Sequence, residues 1–349
     1  MNKRRIIYLI LLLLLAAKAD PVFIAEPSST DVFVGGREGY LTYRIPAMIL
    51  SGQGTILAFC EGRKTGIFDH GNIDIVLKRS LDQGWTWGPL QVIQSKGFQT
   101  WGNPAPVVDR NTGRVWLLFT LNNARVFVTT SDDDGAHWAP PREITSDVKR
   151  PDWNWYATGP GHAIQLASGR LLVPCDHRSA EGMFSHVIYS DDHGQTWKLG
   201  GVLDQGTDEC MAVETVDGRV YLSMRNLYGQ KRRASAWSDD GGLSWSKVRL
   251  EDELIDPVCQ ASIIRMSAGN GRGKDRILFL NPAGLKRENL SIRVSDDEGE
   301  SWSAPRTIYR GPGAYSDLVV FPDLAIGAIY ENGKLWPYSK ISFARLSLE

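Results

Sequence analysis

The 349-residue chain is short of the residues that thiol and metal chemistry need. Its four cysteines, Cys60, Cys175, Cys210 and Cys259, show no C-x-x-C spacing, which argues against a cysteine zinc site. Two readings of them stay open: one or two disulfides whose pairing spacing does not decide, or four buried thiols in strands. The six histidines include no pair at helical spacing, and no G-x-S-x-G segment occurs, so metal-assisted and serine hydrolysis recede. Gly269-Asn270-Gly271-Arg272-Gly273-Lys274-Asp275 has the look of a phosphate loop but lacks its first glycine and the Ser or Thr after lysine, and reads as a hairpin loop. Net charge is almost absent too: 39 Lys and Arg against 40 Asp and Glu leave −1, which offers no general basic surface to nucleic acid.

Long apolar runs are missing beyond the first residues. Met1-Asn2-Lys3-Arg4-Arg5, the apolar stretch Ile6 to Ala17 and Ala17-Lys18-Ala19 form the three parts of a secretory signal peptide. A single membrane anchor is the weaker alternative, because the run falls short of the roughly 20 residues that span a bilayer. The expectation is a leader over 1–19, one catalytic domain over 20–349, a secreted or periplasmic location, and no membrane span after cleavage.

What the chain has in plenty is tryptophan, glycine and proline, at 12, 35 and 17, with no long amphipathic period, which describes a turn-rich all-β protein. Five copies of the octet S-x-D-x-G-x-[TSH]-W begin at Ser80, Ser131, Ser190, Ser238 and Ser295. In each, the Asp suits an Asx-type turn, the Gly supplies a conformation closed to other residues, and the Trp is an apolar plug against the hairpin. Short β-like runs such as Ile73 to Leu77 lead into them, so one octet caps one hairpin. The octets start 51, 59, 48 and 57 residues apart, a spacing suited to four-stranded antiparallel propeller blades, and about six such units fit the chain. The expected fold is a six-bladed β-propeller in which one blade lacks an octet or is closed by both chain ends. The octets carry the fold and not the chemistry. Asn289-Leu290-Ser291 is a glycosylation triplet.

Candidate chemistry sits outside the octets, beside Pro or Gly or at strand ends. Arg44 lies in Tyr43-Arg44-Ile45-Pro46; Arg63 and Asp69 in Glu61 to Gly71; Glu209 in Asp208-Glu209-Cys210; Arg225 in Met224-Arg225-Asn226; Arg287 in Lys286-Arg287-Glu288; Tyr315 in Ala314-Tyr315-Ser316-Asp317. Singly, each suits a solvated surface charge. In this order, with the octets, Trp101-Gly102-Asn103-Pro104 and Gly159-Pro160-Gly161-His162, they resemble the exo-α-sialidases of the bacterial and animal branch. The resemblance covers nearly all of the chain after the leader.

That resemblance implies a retaining exo-α-sialidase acting on sialylated glycans without cofactor or metal. It implies Arg44, Arg225 and Arg287 as a clamp on the substrate carboxylate, through planar charge-assisted forks. Glu331 would hold the first of these arginines. Tyr315 would be the nucleophile, attacking as a neutral phenol because an anionic one would approach a carbon already bearing a carboxylate. Glu209 would take its proton and Asp69 would be the acid/base; Glu214, five residues on, could compete for the base role. Arg63 would be a fourth arginine, and Asn103, Trp101 and Tyr156 would line the pocket. Transfer to a sugar or internally is the alternative within enzymes. A non-catalytic sialoglycan-binding propeller is the alternative outside them, disfavoured because binding has no need of Tyr315 with Glu209 or of Asp69. A monomer or weak oligomer is expected, with no nucleic-acid partner.

Overall fold

A computed structural model describes residues 28–266 and 275–348. The expected leader, residues 1–19, and all but the last residue of the 269–275 loop lie outside the described residues. Strands dominate: among the described residues the α-helix is a single turn, Thr145–Val148. None of the described helices is long and apolar enough to cross a membrane.

The strands form five antiparallel sheets, three of four strands, one of five and one of seven, in a propeller-like arrangement. Within a sheet the second strands are largely buried on both faces, and their sequences are correspondingly rich in apolar residues, with charged ones such as Glu61 and Arg63 at the cavity end. Ile56–Arg63 and Val115–Leu121 are buried at every position. That pattern follows when sheets stack face to face around a centre, so neither face of a middle strand meets water. The seven-stranded sheet is held together by one long strand, Arg306–Val320, whose first part pairs with Glu288–Ser295 and whose second part pairs with Ile326–Asn332.

Every octet joins the third strand of a sheet to the fourth, and all five bond alike. The serine hydroxyl accepts the glycine N–H at 2.8 Å. One aspartate oxygen accepts the backbone N–H four residues on at 2.8–2.9 Å. The residue at that position also bonds the other oxygen with its side chain, and His137 does this through Nδ1 at 2.6 Å as Thr or Ser does elsewhere. Here the expectation needs correction in one respect. In three octets the tryptophan packs across to the preceding sheet rather than onto its own hairpin: Trp87 against Phe343 at 5.5 Å, Trp138 against Phe59 at 5.7 Å, Trp197 against Trp116 at 6.1 Å between ring centroids, whereas Trp302 lies between Tyr221 of the preceding sheet at 6.4 Å and Phe279 of its own at 5.5 Å. The octet glycine is forced for the same reason. At Gly194, with φ 82°, a Cβ would run into the Trp116 ring.

The ring closes through both chain ends. Ser29–Val34 pairs antiparallel with Lys340–Leu346, from Ser29 opposite Ala344 to Val34 opposite Lys340. This end of the sheet carries no octet, and hydrogen bonds between first and last strands supply the closure. All four cysteines are buried and unbridged, so of the two readings the thiol one holds, although Cys259 lies between strands and not in one.

Candidate active site

The innermost strands present one end to a cavity of about 440 Å³ and the other to a separate cavity of about 760 Å³. Thr42–Leu50 brings Arg44 to the first and Leu50 to the second; Thr207–Glu214 brings Glu209 to the first and Glu214 to the second. That separates the competing carboxylates, and Glu214 is occupied in accepting the Ala167 N–H at 2.7 Å.

The first cavity gathers Arg44, Arg63, Asp69, Asn103, Glu209, Arg225, Arg287 and Tyr315 from positions that span most of the chain. Behind it stands Glu331, fully buried, accepting three hydrogen bonds: Arg44 Nε–H at 2.7 Å, Ile45 N–H at 2.9 Å and Tyr315 N–H at 3.2 Å. A bulge makes this possible. The pairing register shifts between Arg44 and Ala47, and Ile45 takes φ 60°, a left-handed conformation costly for a β-branched side chain. Pro46 has no N–H to lose to the ladder there, and Ile45 turns its own toward Glu331. The strain is held by the buried carboxylate it feeds.

Tyr315 donates its hydroxyl proton to Glu209 Oε1. Arg225 Nη1 donates to Glu209 Oε2 at 2.9 Å and to the Tyr315 oxygen at 3.3 Å, so phenol, carboxylate and guanidinium close a triangle. Burial first, then the neighbouring Glu209 charge, pushes the Tyr315 phenol well above its ordinary value against the pull of Arg225 and Arg287. It is therefore a neutral phenol at rest. Asp208 lies 3.5 Å from Arg225 Nε, and its carboxyl is raised by burial and by Glu209. Behind it Asp176 is fully buried, no donor among the described residues reaches either of its oxygens, and burial followed by the charges of Asp208 and Glu209 pushes it well up. A carboxyl so placed keeps its proton.

Across the cavity, Asp69 sits on the loop 64–72 with its side chain 82% exposed, 2.8 Å from Arg63 Nη2 and 3.8 Å from Arg44 Nη1. Arg63 is held by Glu61 at 2.6 Å and by the Ile67 carbonyl at 2.7 Å. Glu61 also accepts the Asn103 N–H at 3.1 Å, which ties that residue to the same wall. Arg287 reaches the Tyr338 hydroxyl at 2.7 Å and the Val258 carbonyl at 3.1 Å and has no ion pair among the described residues, which leaves its charge for an anion. The Arg44 guanidinium lies over the Tyr338 ring at 3.9 Å. Among the described residues no cluster of His, Cys, Asp and Glu is arranged to hold a metal.

Two expected lining residues stand elsewhere. Trp101 is buried against Phe119 and Phe127 at 5.5 and 5.1 Å, and Tyr156 is buried against Trp153 and His186 at 6.0 and 4.9 Å. Neither lines the cavity. Side chains alternate along a strand, so in Trp155–Thr158 it is Trp155 and Ala157 that face it. Sequence reasoning also passed over Glu61, Asp208, Arg178, Met183 and Tyr338 as lining residues. The proximity of Glu61 to Arg63 at strand alternation, and of Asp208 to Glu209, were the available signals.

Residues 54–330 match the family model described as BNR repeat-like domain. The chain is 36% identical to a sialidase of Micromonospora viridifaciens over 92% of its own length and 55% of that protein, so it spans about half of that relative. It is 31% identical to Sialidase-3 of Mus musculus, covering 91% of this chain and 94% of the mouse one. The solved structure of a Hadza microbial sialidase superposes with a TM-score of 0.84 at 28% identity, over 91% of this chain and 68% of that one. With these similarities and the geometry above, the chain belongs to the exo-α-sialidase family of glycoside hydrolases.

Proposed function

We propose that the protein is a retaining exo-α-sialidase that hydrolyses terminal sialic acid from glycoproteins, glycolipids and oligosaccharides, with Tyr315 as nucleophile. The observation that carries this is the Tyr315 hydroxyl held between the Glu209 carboxylate and the Arg225 guanidinium in a cavity shared with Arg44 and Arg287. The three arginines receive the carboxylate on the anomeric carbon, and Glu331 keeps Arg44 in line. As the phenol oxygen attacks that carbon, its proton passes to Glu209, and Arg225 stabilises charge developing on the oxygen. Asp69 protonates the departing glycosidic oxygen. Water then attacks the Tyr315-bound sugar with Asp69 as base, Glu209 returns its proton to the phenolate, and two displacements leave the configuration unchanged.

The same reading takes the sheets as six blades. What supports that count is the long strand Arg306–Val320: divided where its register shifts, between Gly313 and Ser316, the seven-stranded sheet becomes a unit of four strands and a second unit closed by Ser29–Val34. Export is part of the proposal, on the three-part leader at residues 1–19.

The test follows an aryl α-sialoside by NMR and reads which sialic acid anomer appears first. The α anomer is expected; the β anomer overturns retention. Failure of the folded protein to release sialic acid from α2,3-, α2,6- and α2,8-linked substrates overturns the activity itself.

A further inference from the structure

Tyr338 stands on the loop between Ile326–Asn332 and Lys340–Leu346, half-buried at the cavity wall. Its side chain meets two arginines. The Arg44 guanidinium lies 3.9 Å from the centre of its ring, and its hydroxyl accepts the Arg287 Nη1–H at 2.7 Å. The same two guanidiniums lie over the Tyr315 ring, at 5.1 and 5.5 Å from its centre. Arg44 comes from Thr42–Leu50 and Arg287 from the turn before Glu288–Ser295, so one tyrosine ties together cations carried by two sheets.

The loop seats this tyrosine from several sides. Its carbonyl accepts the Thr42 hydroxyl at 2.9 Å, and the next carbonyl, that of Ser339, accepts the Gly35 N–H at 3.0 Å. The ring packs against the buried cluster of Ile45, Cys259, Ala314 and Tyr315, and Trp336 meets it edge-on at 5.0 Å. Where the loop leaves its strand, a Cβ on Gly333 would lie 2.3 Å from the Trp336 carbonyl oxygen, so the segment closes tightly on itself. A side chain held in this way has little freedom left to lose when a ligand arrives.

Cations that converge on one ligand repel each other, and something must keep them together. A carboxylate does so by neutralising them, as Glu331 does for Arg44 and Glu209 for Arg225. Tyr338 uses the negative face of its ring and one hydroxyl oxygen, neither of which carries a full charge. We propose that Tyr338 is a positioning residue for the carboxylate clamp: it fixes the spacing of Arg44 and Arg287 without cancelling their charge. The inference rests on the proposed sialidase reading for the identity of the anion, and on the two contacts for the bracket itself.

The experiment compares the parent with Tyr338→Phe, which keeps the ring and loses the hydroxyl, and with Tyr338→Leu, which loses both. The substrate carboxylate is gripped in ground and transition states alike, so Tyr338→Phe should raise KM for an aryl α-sialoside by about ten-fold with kcat within about two-fold of the parent's. Tyr338→Leu should raise KM by a further factor of about three as Arg44 loses its ring face. Binding of methyl α-sialoside and of its C1 carboxamide, followed by NMR titration, separates positioning from mere packing. The parent's preference for the carboxylate should shrink about ten-fold in Tyr338→Phe, whereas equal weakening of both ligands overturns the proposal, as does an unchanged KM in both variants. The bracket is also read with no sugar present, from the 15N resonances of Arg287 assigned through Arg287→Lys. Slow rotation of that guanidinium in the parent, released in Tyr338→Phe, is expected, and rotation alike in the two overturns the bracket. A parent that shows the slow rotation but turns over no sialoside keeps the bracket and overturns the sialidase reading.

Discussion

Glu331 receives the Arg44 Nε–H at 2.7 Å with both groups almost wholly out of water, and the same carboxylate accepts the backbone amide of Tyr315. A cation proposed to bind substrate and the proposed nucleophile are thus fixed to one anchor. Removing one partner of a buried pair leaves the other charge uncompensated. Glu331→Gln is expected to cost about 3 kcal/mol of stability, read by denaturant unfolding, and to raise KM together with a fall in kcat, because Arg44 and Tyr315 both lose their seat.

Tyr315→Phe removes one oxygen from a buried site and keeps the ring. The fold should survive, with kcat for an aryl α-sialoside down by about a thousand-fold and binding of free sialic acid retained. Turnover close to the parent's would remove Tyr315 from the nucleophile role while leaving the cavity assignment standing.

Asp69→Asn separates protonation of the leaving group from binding. Substrates with acidic phenol leaving groups need little protonation, so their first displacement should stay near the parent's rate in single-turnover measurements. Natural glycosides should slow by about a hundred-fold or more. An equal loss on both would point to a positioning role through Arg63, which Asp69 touches at 2.8 Å.

Asp176 allows a prediction in pH. Its folded carboxyl is pushed above the ordinary 3.8 by burial and by Asp208 and Glu209, so above that pH the folded chain holds a proton that the unfolded chain has lost. Stability then falls as pH rises from about 4. Asp176→Asn, uncharged in both states, should raise Tm at neutral pH and leave it little changed near pH 4. A lower Tm at neutral pH would mean that Asp176 is ionised in the fold.

Trp101 and Trp155 should respond in opposite ways. Trp101→Ala opens a hole against Phe119 and Phe127 and should cost about 3–5 kcal/mol while the folded fraction keeps its KM. Trp155→Ala, at the cavity wall, should raise KM with little change in unfolding.

The octets were legible because each bond in them is local: serine to glycine, aspartate to the residue four on. Their partner across the gap was not, since nothing near Trp87 in sequence names Phe343. Residues with a chemically constrained neighbourhood, such as Arg44 before Ile45-Pro46 and Tyr315 in Tyr-Ser-Asp, line the cavity. Trp101 and Tyr156 were misplaced because strand parity decides which side chain faces inward. In the first case a register shift between Gly102 and Ala105 resets that parity where no sequence pattern announces it. Asp208, Asp176 and Glu61 act through contacts made between strands, and only the assembled sheets reveal them.

The closure between Ser29–Val34 and Lys340–Leu346 has a mechanical side. The two strands run antiparallel with Ser29 opposite Ala344, so the chain enters and leaves the ring at the same end of the pair. A pull applied between residues 29 and 346 loads the bonds in series, peeling them from that end one pair at a time and never shearing them together. Tethered by its two ends, the ring should open at low force with the first strand lifting away, even though heat must disrupt many interlocked sheets before the same strand comes free.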